Sequence, residues 1–295
     1  MKAVSARTRT RFENILFATD FSAAAAQAIP FVKKMARHFQ SNLVVFHVRP
    51  PVVNPMTQPA FWSKDIEAAK VSDKEHREKS LDTFAGINTE VLIEEGDIQS
   101  HLGTAIQKHN TDLVIIGTRG RTGLAKVLLG SVAEEIFRLV PCPVLTVGPH
   151  SDMTKATIRE ILFATDFASE APSAAAYAGS LAQECQARLS LLHVTSEQKA
   201  GEFVSWSDVR ESSTQLLRKL VPPEAEAWCK PEYFVERGDP AECILDLANL
   251  RAVDIIVLGA QREKGVPGAA THLPITTAHK VVARANCPVL TVRSK

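Results

Sequence analysis

The stretch "ILFATDFS", residues 15–22, returns as "ILFATDFA", residues 161–168, with seven of eight positions identical and an offset of 146. At the same offset "LVVFHV" (43–48) recurs as "LSLLHV" (189–194). Farther on, "EEGD" becomes "ERGD" and "TDLVIIG" becomes "VDIIVLG" at an offset of 142, and "CPVLTV" from Cys142 recurs from Cys287. A repeat that runs almost end to end makes the chain two copies of one domain. A length of 295 residues suits two domains, each large enough for its own core. The polar stretch "GPHSDMTKAT", 148–157, is the expected boundary, dividing the chain into domains 1–150 and 151–295.

Within a copy, strand and helix signals alternate. In the first, 14–19 reads as a buried strand and 22–39 as an alanine-rich helix with Ser22 as its N-cap. A second strand covers 43–48, and the proline-rich "RPPVVNPMTQPAFW" reads as a loop. Then follow a charged helix at 64–84, a strand at 89–94, an Asp97-capped helix to His109 and a strand at 113–116. A last helix from Ser131 to Leu139 and the short strand "PVLTV" close the copy. Short apolar strands separated by helices call for a parallel sheet covered on both faces. Ligands of such sheets sit at the carboxyl ends of the strands, where the strand order reverses. Asp20, Val48 and Gly117 all fall at such ends.

Bulk composition narrows the class of function. Apolar residues make up 45%, charged residues 23%, and the net charge is +1, so no global field recruits nucleic acid or an anionic membrane. The basic start "MKAVSARTRTRF" lacks a hydrophobic signal core, and no apolar run reaches the ~18 residues of a membrane span. Five scattered cysteines without a CxxC pair read as reduced thiols, and the chain reads as cytoplasmic.

The chemistry concentrates in "GTRGRTGLAKVLLGS", 117–131, spaced Gly117-x2-Gly120-x9-Gly130-Ser131. Glycines there let the backbone turn with positive φ and approach a bound group. Gly130 and Ser131 open a helix, whose free N–H groups and dipole favour phosphate oxygens. Arg119, Arg121 and Lys126 add local positive charge. From spacing alone, a phosphate cradle and a glycine-rich loop before a serine-capped helix are equally good readings, because neither GxxxxGK[ST] nor GxGxxG is present. Asp20 likewise reads as a ligand-facing acid or as a turn carboxylate ahead of a helix.

Taken together, G-x2-G-x9-G-[ST] after "DLVIIG", "ATDFS" on the first strand and "CPVLTV" at the end resemble the universal stress protein family over almost the entire chain. The resemblance implies two tandem flavodoxin-like, HUP-type α/β domains, each a five-stranded parallel sheet of order 3-2-1-4-5 with helices on both faces. It also implies binding of ATP, with Mg²⁺, where the glycine motif is kept. By position, Asp20 would recognise adenine or its ribose, and the backbone at Val48 would bond the adenine edge. Gly117 would lie against the ribose, and Gly120, Gly130, Ser131 and Val132 would hold the phosphates. The second copy keeps Asp166 and Val194 but has Arg262 for Gly120, Ile275 for Gly130 and Thr276 for Ser131. A β-branched residue resists the glycine conformation, although the Arg262 guanidinium could still hold phosphate.

No nucleophile elbow, HExxH helix or other catalytic motif is present, so the chain does not read as an enzyme beyond slow ATP hydrolysis. His47 and His193, at equivalent strand ends, read as structural rather than catalytic. The resulting expectation is a regulatory adenine-nucleotide binder acting on a protein partner. Its rivals are a nucleotide-independent scaffold and a weak ATPase. The two "PVLTV" strands are expected to pair, either inside the chain as a pseudo-dimer or between chains as a homo-oligomer.

Overall fold

A computed structural model of the protein describes residues 11–52, 59–117, 136, 140–151, 157–195, 205–260 and 276–293. The described residues from Phe12 to Cys142 form one compact unit, and those from Pro143 onward form another.

In the first unit, β1 (Asn14–Ala18), β2 (Asn42–Arg49), β3 (Thr89–Glu95) and β4 (Leu113–Gly117) lie in the order β3-β2-β1-β4. All pairs are parallel, with Ile15 opposite Leu43 on one side and Leu113 on the other. Ile15, Leu16, Leu113, Val114 and Ile115 are completely buried, as strands covered on both faces must be. The second unit holds β5 (Val144–Val147), β6 (Glu160–Thr165), β7 (Arg188–Thr195), β8 (Glu232–Arg237), β9 (Ile255–Gly259) and β10 (Val289–Val292). Its order is β5-β10-β9-β6-β7-β8, so the second repeat has the expected 3-2-1-4-5 sequence of strands, all parallel.

β5, the last strand of the first repeat, pairs antiparallel with β10, with Leu145 opposite Leu290. This is why the second compact unit begins at Pro143, ahead of the repeat boundary. Two buried threonines secure the pair: Thr146 Oγ1 donates to the Val289 carbonyl and Thr291 Oγ1 to the Val144 carbonyl, each at 3.1 Å. Each hydroxyl is thereby satisfied in an apolar setting, where an unpaired one would be costly.

Helices differ from the sequence reading in two places. The expected helix 22–39 is two, α1 (Ala23–Ala26) and α2 (Ile29–Phe39). Pro30 is the cause, since it lacks an N–H and its ring would strike the carbonyl four residues back. In the second repeat the corresponding helix, α5 (Ala171–Cys185), is unbroken because Pro172 sits in its first turn. α3 spans Pro59–Thr83, beginning five residues before the expected start, again with a proline where its missing N–H is harmless. α4 (Ile98–Lys108), α6 (Trp206–Lys219), α7 (Pro240–Leu250) and α8 (Thr277–Arg284) complete the described α-helices, and a short 3-10 helix covers Pro223–Ala227. Asp97 caps α4 as expected, accepting from Ser100 N–H. The expected helix 131–139 lies outside the described residues except for Ile136.

At the amino ends of the strands the two repeats use different chemistry. In the first, an uncharged ladder runs from Asn88 Nδ2 to Asn42 Oδ1 and from Asn42 Nδ2 to Asn14 Oδ1. In the second, Glu160 stands in place of Asn14 and is 2% exposed. It accepts from Arg188 Nε at 2.6 Å, Ser190 Oγ at 2.9 Å and Arg251 Nη2 at 3.4 Å. Arg251 also bonds Glu232, which raises its already high pKa. Removing Glu160 takes away the buried acceptor that Arg188, Arg251 and the fully buried Ser190 hydroxyl share. Glu160→Ala is therefore expected to destabilise the chain by about 3 kcal/mol in urea unfolding, against about 1 kcal/mol for Asn14→Ala.

Asp112 and Asp254 hold the same corner in the two copies. Asp112 Oδ2 accepts the N–H groups of Glu13 and Asn14, and Asp254 Oδ2 those of Arg159 and Glu160. Burial pushes the Asp112 carboxyl up to about 6, against the lowering effect of those two N–H groups. An acid whose folded-state pKa is raised contributes stability that is full below its unfolded value and is lost as pH rises through the folded one. Asp112 therefore favours folding most below about pH 4 and loses that contribution by about pH 7. Asp112→Asn, which keeps an oxygen acceptor, is expected to flatten the stability profile across this window in unfolding at several pH values.

Candidate functional site

The repeated "TDF" makes the same strand-to-helix turn in both copies. Phe21 has φ 56° and Phe167 has φ 61°, left-handed values that a bulky side chain rarely takes. Each turn is held by its own sequence. Thr19 Oγ1 accepts from Phe21 N–H at 3.0 Å, and Asp20 Oδ1 accepts from Ser22 N–H at 3.0 Å. Thr165 and Asp166 make the same two bonds to Phe167 and Ala168. From below, His47 Nδ1 and His193 Nδ1 meet the Thr19 and Thr165 carbonyls at 2.8 Å. A carbonyl can only accept, so Nδ1 carries the proton in each ring. The imidazoles also pack on the phenylalanines, at 4.9 Å in the first copy and 4.3 Å in the second. Both histidines thus serve as turn anchors.

Asp20, Val48 and Gly117 lie at the same end of the first sheet, Asp20 just past β1 and the other two in the closing residues of β2 and β4. Asp20 is half-buried, and its Oδ1 is engaged in the turn. Val48 is placed by strand alternation. The Phe46 carbonyl accepts from Thr19 N–H on the β1 side, whereas the Arg49 carbonyl accepts from Gly96 N–H on the β3 side. Val48, two residues after Phe46, therefore directs its N–H and C=O toward the β1 side, where β1 has ended at Ala18. Beyond the end of β1, that backbone edge is suited to a planar ring with its own donors and acceptors.

Gly117 departs from expectation, because its φ is not positive and it continues β4 in ordinary extended form. What demands a glycine there is helix α1: an added Cβ would lie 3.3 Å from Ala25 Cα and 3.6 Å from the Ala24 carbonyl. Gly120, Gly130, Ser131 and Val132 lie outside the described residues.

The second copy has a crevice at the equivalent place, a cavity of about 330 Å³. Asp166, Val194 and Gly259 line or border it, and its floor is apolar, with Ala164, Leu192 and Leu258. Gly259 is crowded like Gly117, but by Glu170, whose Cβ would be 3.1 Å from an added one. Asp239, the cap of α7 at this rim, is held below the usual carboxylate range by the Glu242 N–H first and by Lys280 next.

Sequence reading missed three groups. His76 of α3 stacks on Phe21 at 4.1 Å with rings 7° from parallel. Arg49 ties β2 to α3 through Asp73 at 3.1 Å and to β3 through Glu95 at 2.6 Å. The second copy has Thr195 and Arg237 at those two strand positions, and Arg237 lies over the Trp206 ring at 4.5 Å. Glu170 was visible in principle, since aligning the repeats sets it against Ala24. Among the described residues no group of three His, Cys, Asp or Glu side chains could hold a metal ion. No described helix is long and apolar enough to cross a membrane.

Comparison with known proteins bears on the whole chain. The pattern of the universal stress protein family matches residues 11–148 and again 157–293. A universal stress protein of Methanocaldococcus jannaschii is 30% identical over 142 residues, covering 46% of this chain and 82% of that protein. Another, from Mycolicibacterium smegmatis, is 22% identical across 95% of this chain and 97% of its own length. The crystal structure of a universal stress protein from Archaeoglobus fulgidus matches 96% of this chain and 99% of its own, with TM-score 0.70 and 19% identity, a likeness of fold. With two matches to the family pattern and a tandem arrangement of the family's fold, this chain belongs to the universal stress protein family.

Proposed function

We propose that the first repeat binds ATP, with Mg²⁺ on its phosphates, and that occupancy serves a regulatory role in the cytoplasm rather than a metabolic one. The functional division follows the repeats, 1–150 and 151–295. The observation that carries the reading is the placing of Asp20, the β1-side backbone of Val48 and Gly117 at one end of the first sheet, where strand order reverses. Val48 N–H and C=O would bond the adenine edge, and Asp20 would accept from the adenine or ribose. Gly120, Gly130, Ser131 and Val132, which follow Gly117 in the sequence, would hold the phosphates. Mg²⁺ would be held by the phosphate oxygens themselves, neutralising their charge. Of the imidazoles beside this end, His47 is committed to the Thr19 carbonyl and His76 is stacked on the Phe21 ring.

The antiparallel pairing of β5 with β10 favours an intramolecular pseudo-dimer over a homo-oligomer built on those strands. A change in the 117–139 segment on nucleotide binding would then be presented to a protein partner.

Calorimetry of ATP with the parent chain and with Gly130→Ile tests the reading. Losing one or two charge-assisted amide contacts is expected to weaken ATP binding by about 10- to 100-fold. Unchanged affinity in a folded variant would overturn the phosphate assignment. ATP should also slow hydrogen exchange across 117–139, and no slowing would remove the regulatory coupling.

A further inference from the structure

The second repeat has a cavity of its own. At about 330 Å³ it falls within the size range of small-molecule sites, about 300–1,000 Å³. It keeps what suits a flat ring: an apolar floor and the Val194 backbone. Val194 is directed like Val48, because the Thr195 carbonyl on its other side accepts from Gly238 N–H.

Two features oppose a phosphate chain. The first is Glu170, which lines the cavity at 7% exposure where the first repeat has Ala24. Its backbone lies against Gly259, the counterpart of Gly117, and its Oε1 accepts from Ser169 Oγ at 2.9 Å. A buried carboxylate at that point repels an anionic ligand and accepts readily from hydroxyl groups. The second is the N-terminus of α8, which the protein caps for itself. Thr276 Oγ1 accepts from His279 N–H at 3.3 Å and lies 2.8 Å from His279 Nδ1. A helix end satisfied in this way has less to offer a phosphate.

We propose that the second crevice is a binding site for a neutral nucleoside, and that Glu170 selects against the phosphorylated forms by accepting from the ribose hydroxyls. This rests on the placement of the ribose beside the strand-end glycine proposed for the first repeat. Specificity here arises as much from the charge that rejects a nucleotide as from the contacts that hold a nucleoside.

The test uses the full chain carrying Gly130→Ile, so that ATP binding at the first crevice is weakened, with ¹³C-methyl NMR on Leu192, Ile244 and Leu258. Adenosine, AMP and ATP are the probes. Adenosine should shift these methyl signals saturably, and ATP should bind there about tenfold or more weakly. Glu170→Gln, which keeps an acceptor and removes the charge, should retain adenosine and bring ATP to within about threefold of it. Glu170→Ala should narrow the same ratio. Absence of methyl shifts with adenosine, or a ratio unchanged in Glu170→Gln, would overturn the proposal. Because these signals report only the second crevice, failure here is distinguishable from failure of ATP binding by the parent chain.

Discussion

A phenylalanine held in the left-handed region at the end of the first strand is the constraint from which both crevices are built. Such a conformation costs about 1–2 kcal/mol for a residue with a side chain, so something must hold it. Phe21 and Phe167 are held by the preceding threonine and aspartate and by a histidine from the neighbouring strand. The turn ends the strand abruptly and starts the helix beside it. It thereby leaves the second strand running on past its partner, with the backbones of Val48 and Val194 directed beyond the end of the first strand. The glycine ending the fourth strand suits the same turn, because the helix it launches would crowd a Cβ there. Geometry at the crevice is thus fixed by packing before any ligand is considered.

Since the turn is common to both copies, the differences between them lie around it. At the crevice end, Ala24 has become Glu170 and the glycines have become Arg262 and Ile275. At the opposite end of the strands, an asparagine ladder has become a buried glutamate between arginines. The sheet tolerates either chemistry there because every polar group named finds a partner. The two repeats therefore share a scaffold while presenting different charge to what enters the crevice. That asymmetry is what the family's fold alone does not specify.

Much of this was legible in the sequence. "ILFATDF" and "CPVLTV", met twice, disclosed the tandem domains, and the alternation of strand and helix signals gave a parallel sheet, whose strand order came from the family resemblance. Asp20, Val48 and Gly117 were placed at one end because strand ends are readable from apolar runs. Less legible were effects that depend on neighbours distant in sequence. Pro30 splits a helix that composition alone runs together. His47 and His193 became anchors only when a carbonyl 28 residues away was seen beside each ring. Gly117 read as a glycine for ligand approach, whereas α1 supplies the crowding. Stacking of His76 on Phe21 joins residues 55 positions apart and left no signal in either stretch.

The central claim is that one fold, used twice, offers one crevice to a nucleotide's phosphates and denies them in the other. The most direct measurement is the stoichiometry of Mg²⁺–ATP binding to the purified, nucleotide-stripped chain by calorimetry, with the protein concentration fixed by amino-acid analysis. The account predicts one ATP bound per chain. Two equivalent ATP sites per chain, or none, would contradict it.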